Sequence, residues 1–396
     1  MTRVQMKTPL VEINGDEMTR VLWEMIKEKL ILPYIDLKTE YYDLSLSNRD
    51  ATDDRITTSC AEAIRRLGVG VKCATITANK QRMAEYSLKQ MWSSPNATIR
   101  SILDGTVFRK PIIVKGIKPF VPAWKQPIII ARHAFGDMYK GVEWYTNEPG
   151  KAAMIYYSGE SSHLIDICRL DGPGVLQSIY NTDASIYSFA NACFQYALSE
   201  RLNLWFSAKD TISKIYDHHF KDIFQTLYHE RYEKDFALSG ISYTYMLIDD
   251  AVAQAIRSCG GFVWALKNYD GDVISDLVAS AYGSLAMMTS VLVSPDQKFE
   301  FEAAHGTVTR HYYRHLKGEE TSTNPVATIF AWTGAIRKRG ELDKTYDLCA
   351  FADNLERATL MIIEGGTMTG DIAALYDGYP NQVSSAQFLQ CVANAI

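Results

Sequence analysis

Cysteine is sparse in this 396-residue chain: there are seven, an odd number, and none stands in a C-x-x-C pair. That spacing excludes a disulfide framework and a zinc ribbon, and it points to a reducing compartment. No run approaches the roughly 18 apolar residues of a membrane span, and the opening MTRVQMKTPLVEING lacks a signal-peptide apolar region. An excess of positive charge is missing too. With 41 basic against 46 acidic side chains the net charge is -5, which gives no reason to expect a nucleic-acid partner. No repeat or low-complexity tract is present, so a solenoid is excluded. Neither G-x-G-x-x-G nor the P-loop G-x-x-x-x-G-K occurs. Gly68-Val69-Gly70 has no third glycine and lies in a strand-like run. Any nucleotide must be held another way. The expectation is a soluble, cytoplasmic protein with neither nucleic acid nor membrane as partner.

What is present alternates short β-like runs with longer helical ones. Thr8 to Ile13 reads as a strand broken by Gly15. Leu22, Met25, Ile26 and Leu30 then recur at helical spacing until Pro33. Val69 to Ala74 reads as a second strand after a helical segment around Ala61 to Leu67. The pattern returns at Leu204-Trp205-Phe206 before Lys209, and at Ser242 to Ile248 before Asp249. Such alternation predicts an α/β architecture with a largely parallel sheet. Between Lys151 and Leu170 two apolar runs flank the turn-like SGESS, and GPG at Gly172 to Gly174 is expected to break the arm again. This reads as an inserted hairpin. A lone hairpin buries too little surface to stand by itself, so the arm calls for a partner, most simply the same arm of a second subunit.

Asp272 and Asp276 in NYDGDVISD are four residues apart. On a helix this puts both carboxylates on one face, with Cβ atoms roughly 6 Å apart, a repulsive arrangement unless a cation such as Mg²⁺ or Mn²⁺ lies between them. Helix capping is the bland alternative for Asp272. Asp249-Asp250 follows a strand, at the end where open α/β sheets bind ligands. Arg100, Arg109 and Arg132 lie near element ends, and guanidinium forks there suit carboxylates better than lysine would. Lys209 after LWFSA and Tyr139 beyond Arg132 are potential proton-transfer groups.

These pieces occur together in one family. The strings GDEMTR, YYDLSLSNRDATDD, VGVKCATIT, MWSSPNATIR, DGTVFRKPI, ARHAFGDMYK, KDTISKIYD, LIDDAVAQ, NYDGDVISD, EAAHGTVTRHY, TSTNP and IFAWTGAI run in order from Gly15 to Ile336. In them the chain resembles the homodimeric NADP-dependent isocitrate dehydrogenases. The resemblance implies oxidative decarboxylation of isocitrate to 2-oxoglutarate and CO₂. The implied fold is the isocitrate/isopropylmalate dehydrogenase two-domain α/β fold with a clasp. A large domain would span 1–103 and 282–396, a small one 104–136 and 183–281, and the clasp 137–182. By the same resemblance, Thr77, Ser94, Asn96, Arg100, Arg109 and Arg132 would grip isocitrate. Asp272 and Asp276 would hold Mg²⁺ or Mn²⁺ together with Asp249 of the other subunit. Tyr139 and Lys209, the lysine again from across the dimer, would handle protons. NADP would lie along Lys72, Thr75, Thr77 and Arg82, then His305, Gly306, Thr307, Val308 and Asn324. Arg310 and His311 would take its 2′-phosphate, and Gln254 and Arg257 would reach it from the second subunit. The chain departs from the pattern at Asn14, at Ala131 in place of the usual glycine, in LQSIYNTDASI, and at the ending VANAI, which lacks the usual lysine-rich helix. The competing expectations are the same chemistry with NAD⁺ or an isopropylmalate-type 2-hydroxy acid, and a non-catalytic regulatory scaffold.

Overall fold

The computed structural model describes residues 3–396; Met1 and Thr2 of the expected large domain lie outside them. Fourteen strands carry the argument. In chain order they are β1 (Leu10–Asn14), β2 (Thr39–Asp43), β3 (Val69–Lys72), β4 (Thr106–Pro111), β5 (Ile128–His133), β6 (Val142–Thr146) and β7 (Gly150–Ser158). They continue with β8 (Ser161–Leu170), β9 (Gly174–Ser178), β10 (Asn203–Ala208), β11 (Tyr243–Leu247), β12 (Phe262–Leu266), β13 (Met288–Val293) and β14 (Phe299–Ala303).

Ten of them form one sheet in the order β11-β10-β12-β5-β4-β13-β14-β3-β1-β2. Pairing is parallel at both ends of that order. It is antiparallel only in the middle, at β5·β4, β4·β13 and β13·β14. The expected parallel sheet is therefore mixed, because two segments from distant parts of the sequence meet at its centre. Helices cover both faces, so strands such as β1, β5 and β12 are buried along their whole length. Helix Glu17–Ile26 continues as a π-turn through Ile31, close to the expected stop at Pro33.

Two features depend on long-range packing. Gly15, between β1 and its helix, lies so close to the next loop that a Cβ would fall 2.0 Å from the Ala74 carbonyl oxygen. No side chain fits there. Toward the other end of the strand order, Phe189, Phe194, Phe206, Phe220 and Phe224 are fully buried together, and the Phe206 and Phe224 rings stack with centroids 4.1 Å apart. His133 is buried in the same cluster, stacked on Phe189 with 4.7 Å between centroids and 2.8 Å from Ser185 Oγ.

Burial holds the His133 imidazole well below its ordinary value, down to about 3. Unfolded, the ring takes up a proton as pH falls through about 6.5; folded, it stays neutral. Its contribution is thus complete above about pH 6.5 and is lost progressively down to about pH 3, with an upper limit of about 5 kcal/mol. The expected result is that His133→Gln narrows the gap between melting temperatures at neutral pH and at pH ~4. An unchanged gap would remove His133 as a source of acid sensitivity.

The inserted segment forms the expected hairpin, with β7 and β8 paired antiparallel from Gly150↔Leu170 to Ser158↔Ser161. GPG does not end the arm. Gly174 opens β9, which pairs back onto β6 in a second ladder. Trp144, Tyr156, Tyr157, Leu164 and Val175 are each more than half exposed on it.

Candidate active site

The carboxyl ends of parallel strands collect the charged residues. Arg132 lies near the end of β5, and helix Asn268–Tyr282 begins just past β12. Because that helix starts at Asn268, Asp272 and Asp276 sit in its second and third turns. Asp272 is not a cap.

Ser94, Asn96, Arg100, Arg109, Arg132, Tyr139 and Asp272 line one cavity of about 200 Å³. The three arginines are buried and each has an acidic counterweight. Arg132 pairs with Asp272. Arg109 Nη1 donates to Asp276 Oδ1 at 2.8 Å and to Ser275 Oγ at 2.7 Å. Arg100 Nη2 donates to Glu302 Oε1 at 2.6 Å. Burial, and next to it the Arg100 guanidinium, pull Arg132 down to about 10; its Nε is fixed by Asn268 Oδ1 at 2.8 Å. The Arg100 Nε, Arg109 Nε and Asn96 Oδ1 are buried without a hydrogen-bond partner. The two guanidinium N–H donors left open suit carboxylate oxygens, and the amide oxygen can accept from a hydroxyl, a combination that fits a hydroxylated polycarboxylate.

Tyr139 stands over Arg132, with 4.8 Å from the guanidinium carbon to the ring centroid, and its hydroxyl donates to Asp272 Oδ2 at 2.5 Å. Burial first, and the Asp272 carboxylate with it, push the phenol up to about 12 against the opposing pull of Arg132. The tyrosine is held protonated.

The structure does not bring Lys209 or Asp249 into this cavity. They follow β10 and β11 at the sheet edge and pair with each other, Lys209 Nζ to Asp249 Oδ1 at 2.5 Å. The ammonium keeps that exposed carboxylate below the usual range. Among the described residues no group of three or more metal-ligating side chains gathers within the chain. Asp272 and Asp276 together are a fitting two-carboxylate half of an oxygen-ligand site.

Most of the remaining expected residues sit on or just after the loops that follow β14, β3 and β1. Strands β14, β3 and β1 are adjacent and parallel, so the loops after them come together. Lys72 is buried, with Nζ 3.8 Å from Glu302 Oε2. Thr75 Oγ1 and His305 Nε2 are buried without partners, open positions that a bound cofactor can fill. Thr77 is exposed on the same loop. Arg82 is on helix Lys80–Tyr86. Gly306 has open space around it, and Val308 takes a left-handed φ of 56°. Arg310 and His311 are on helix Thr309–Leu316, with His311 Nδ1 2.6 Å from Thr323 Oγ1. Asn324 Nδ2 donates to Asp371 Oδ2 at 3.1 Å. Gln254 and Arg257 are exposed on helix Ile248–Arg257.

Sequence reasoning passed over Glu302, Asn268 and Ser275, which hold the three arginines. The one signal available was FEFEA, where acids alternate with apolar residues on a strand that proves buried. Fold and cavity together define an α/β enzyme site for a small polyanion.

The sequence pattern of the isocitrate/isopropylmalate dehydrogenases matches residues 5–392. The chain is 55% identical over 375 residues to "Isocitrate dehydrogenase [NADP], mitochondrial" of Aspergillus niger, covering 94% of this chain and 75% of that one. The proteins of the same name from Saccharomyces cerevisiae and Homo sapiens are 53% and 50% identical, over 94% and 98% of this chain and 88% and 86% of theirs. The chain belongs to the isocitrate/isopropylmalate dehydrogenase family. One expectation is overturned here. These relatives are named mitochondrial, so the cytoplasmic assignment does not stand. Cysteine spacing excluded a disulfide framework, but it does not tell one reducing compartment from another. No helix among the described residues is long and apolar enough to cross a membrane.

Proposed function

We infer that the chain catalyses NADP⁺-dependent oxidative decarboxylation of isocitrate to 2-oxoglutarate and CO₂. The observation that carries this reading is the single cavity lined by Arg100, Arg109, Arg132, Tyr139 and Asp272. Three buried guanidiniums suit a tricarboxylate better than a substrate with an alkyl arm. When bound, NADP⁺ accepts the hydride from substrate C2 and a divalent cation polarises the C2 oxygen. The protein's own groups do the rest. The three arginines and Ser94 and Asn96 orient the carboxylates. Tyr139, protonated, delivers a proton to C3 after loss of CO₂. Lys209 relays the C2 hydroxyl proton to Asp249: the ammonium gives a proton to the carboxylate as its nitrogen takes one from the substrate. Since neither lines the cavity of its own chain, a homodimer that shares its sites supplies them, with the exposed arm of β6 to β9 as the clasp. The division at 103/104, 136/137, 182/183 and 281/282 goes with that reading.

Initial rates of cofactor reduction test it. With isocitrate and Mn²⁺, NADP⁺ is expected to be reduced rapidly and NAD⁺ poorly, with all activity lost to a chelator. No reduction of either cofactor by folded protein would sink the reading. Arg310 and His311 are proposed to set the cofactor choice. Burial, with Arg314 and Arg310 nearby, keeps the His311 imidazole below its ordinary range, so Arg310 supplies the fixed charge. Replacing both by Ser is expected to reduce the NADP⁺ preference by about 10²-fold, mainly in KM. A preference that survives would place selectivity elsewhere.

A further inference from the structure

Glu17, in the string GDEMTR, is buried at the end of β1 with a left-handed φ of 53°. A non-glycine residue in that conformation is held there by its surroundings. Its carboxylate collects groups from two other segments. Oε2 accepts from Thr307 Oγ1 at 2.5 Å and from Thr309 Oγ1 at 2.6 Å, both in the turn after β14. Oε1 lies 2.8 Å from Arg82 Nη2 on helix Lys80–Tyr86. The same Nη2 donates to Thr309 Oγ1 at 2.8 Å, which closes a ring of carboxylate, hydroxyl and guanidinium. Glu85 takes the other arm of Arg82, Nη1 to Oε2 at 2.8 Å.

We propose that Glu17 is a positioning residue for the cofactor: it fixes Arg82 and the Thr307–Thr309 turn in the pose that receives NADP. This rests on the reading of Arg82 and Thr307 as cofactor contacts. Arg82 and the turn come from helix and loop segments that share no strand. Glu85 also ties Arg82 to Tyr313 of helix Thr309–Leu316, at the surface; Glu17 is the buried anchor, without which a long arginine side chain and a turn containing a left-handed Val308 would sample more arrangements. The Glu17 side chain is 1% exposed, so it acts through these partners and not by meeting the cofactor. Thr309 becomes part of the device as the link between Glu17 and Arg82.

The test is the dissociation constant of NADP⁺, by calorimetry on the full-length protein, for Glu17→Gln, Arg82→Gln and the double variant. Glutamine keeps the shape but sets an uncharged amide against the guanidinium. Glu17→Gln is expected to weaken NADP⁺ on the order of tenfold, with isocitrate KM and kcat at saturating NADP⁺ changed by less than about twofold. The double variant should lose less than the sum of the two single losses, because part of the Glu17 effect runs through Arg82 and the rest through the Thr307–Thr309 turn. If Glu17→Gln leaves the constant unchanged while Arg82→Gln raises it, the positioning role is overturned and the site reading stands. If Arg82→Gln has no effect, both fall. Fully additive losses would also overturn the proposal. Should Glu17→Gln not fold, Thr309→Val cuts the same ring, with a severalfold rise expected and an unchanged constant overturning it.

Discussion

Tyr139→Phe and Lys209→Met are each expected to lower turnover by about 10²–10⁴-fold, the usual contribution of a positioned proton-transfer group. The decisive outcome comes from mixing them. Tyr139 lines the cavity, whereas Lys209 is tied to Asp249 at the sheet edge. If each site takes its tyrosine from one subunit and its lysine from the other, a dimer of one chain of each kind has one site with both residues intact. Denaturing and refolding the two dead proteins together should then restore about a quarter of wild-type activity, since half the dimers are mixed and each carries one working site. Each variant refolded alone should stay dead. No recovery from a mixture shown to contain mixed dimers would place tyrosine and lysine in the same chain's site, and the exposed arm would need another explanation.

The second large effect concerns the ion pairs. The arginines proposed to grip isocitrate pair with the aspartates proposed to hold the metal: Arg132 with Asp272, Arg109 with Asp276. Isocitrate alone must detach both aspartates, leaving two carboxylates unpaired beside a third anion. A divalent cation relieves this by taking the aspartates as the substrate takes the arginines. Mn²⁺ is therefore expected to tighten isocitrate by at least about tenfold, and isocitrate to tighten Mn²⁺ by the same factor. Calorimetry in both orders measures this, and equal isocitrate affinity with and without metal would refute it. Asp272→Asn should abolish the linkage and lower kcat/KM by about 10³-fold or more. Its cost in stability is expected to stay near 1 kcal/mol, because Asp272 is 39% exposed and solvent screens its pair with Arg132.

Much of this molecule was readable in one dimension. The strands read to end at Ile13, Ala74, Phe206 and Ile248 end within two residues of those positions, at Asn14, Lys72, Ala208 and Leu247, because a sheet strand in a covered α/β protein is apolar on both faces and stops where glycine or charge begins. The hairpin at SGESS is a local turn signal. The spacing of Asp272 and Asp276 is a property of any helix. Ser94, Asn96, Arg100, Arg109, Arg132, Tyr139 and Asp272 were named from ordered strings, and they meet in one cavity.

Tertiary structure alone decided the rest. Tyr139 and Asp272 are 133 positions apart, Arg100 and Glu302 are 202 apart, and Glu17 and Thr307 are 290 apart. No window of sequence pairs such residues. Packing chooses among many exposed-looking charges the few that are buried, and a buried charge must find a partner. That is why Glu302, Asn268, Ser275 and Glu17 emerged only with the fold, why GPG opened a strand instead of closing the arm, and why Lys209 and Asp249 lie outside the cavity of their own chain. Composition and spacing determined the chemical vocabulary of the site; the meeting of distant strand ends determined which residues speak to which.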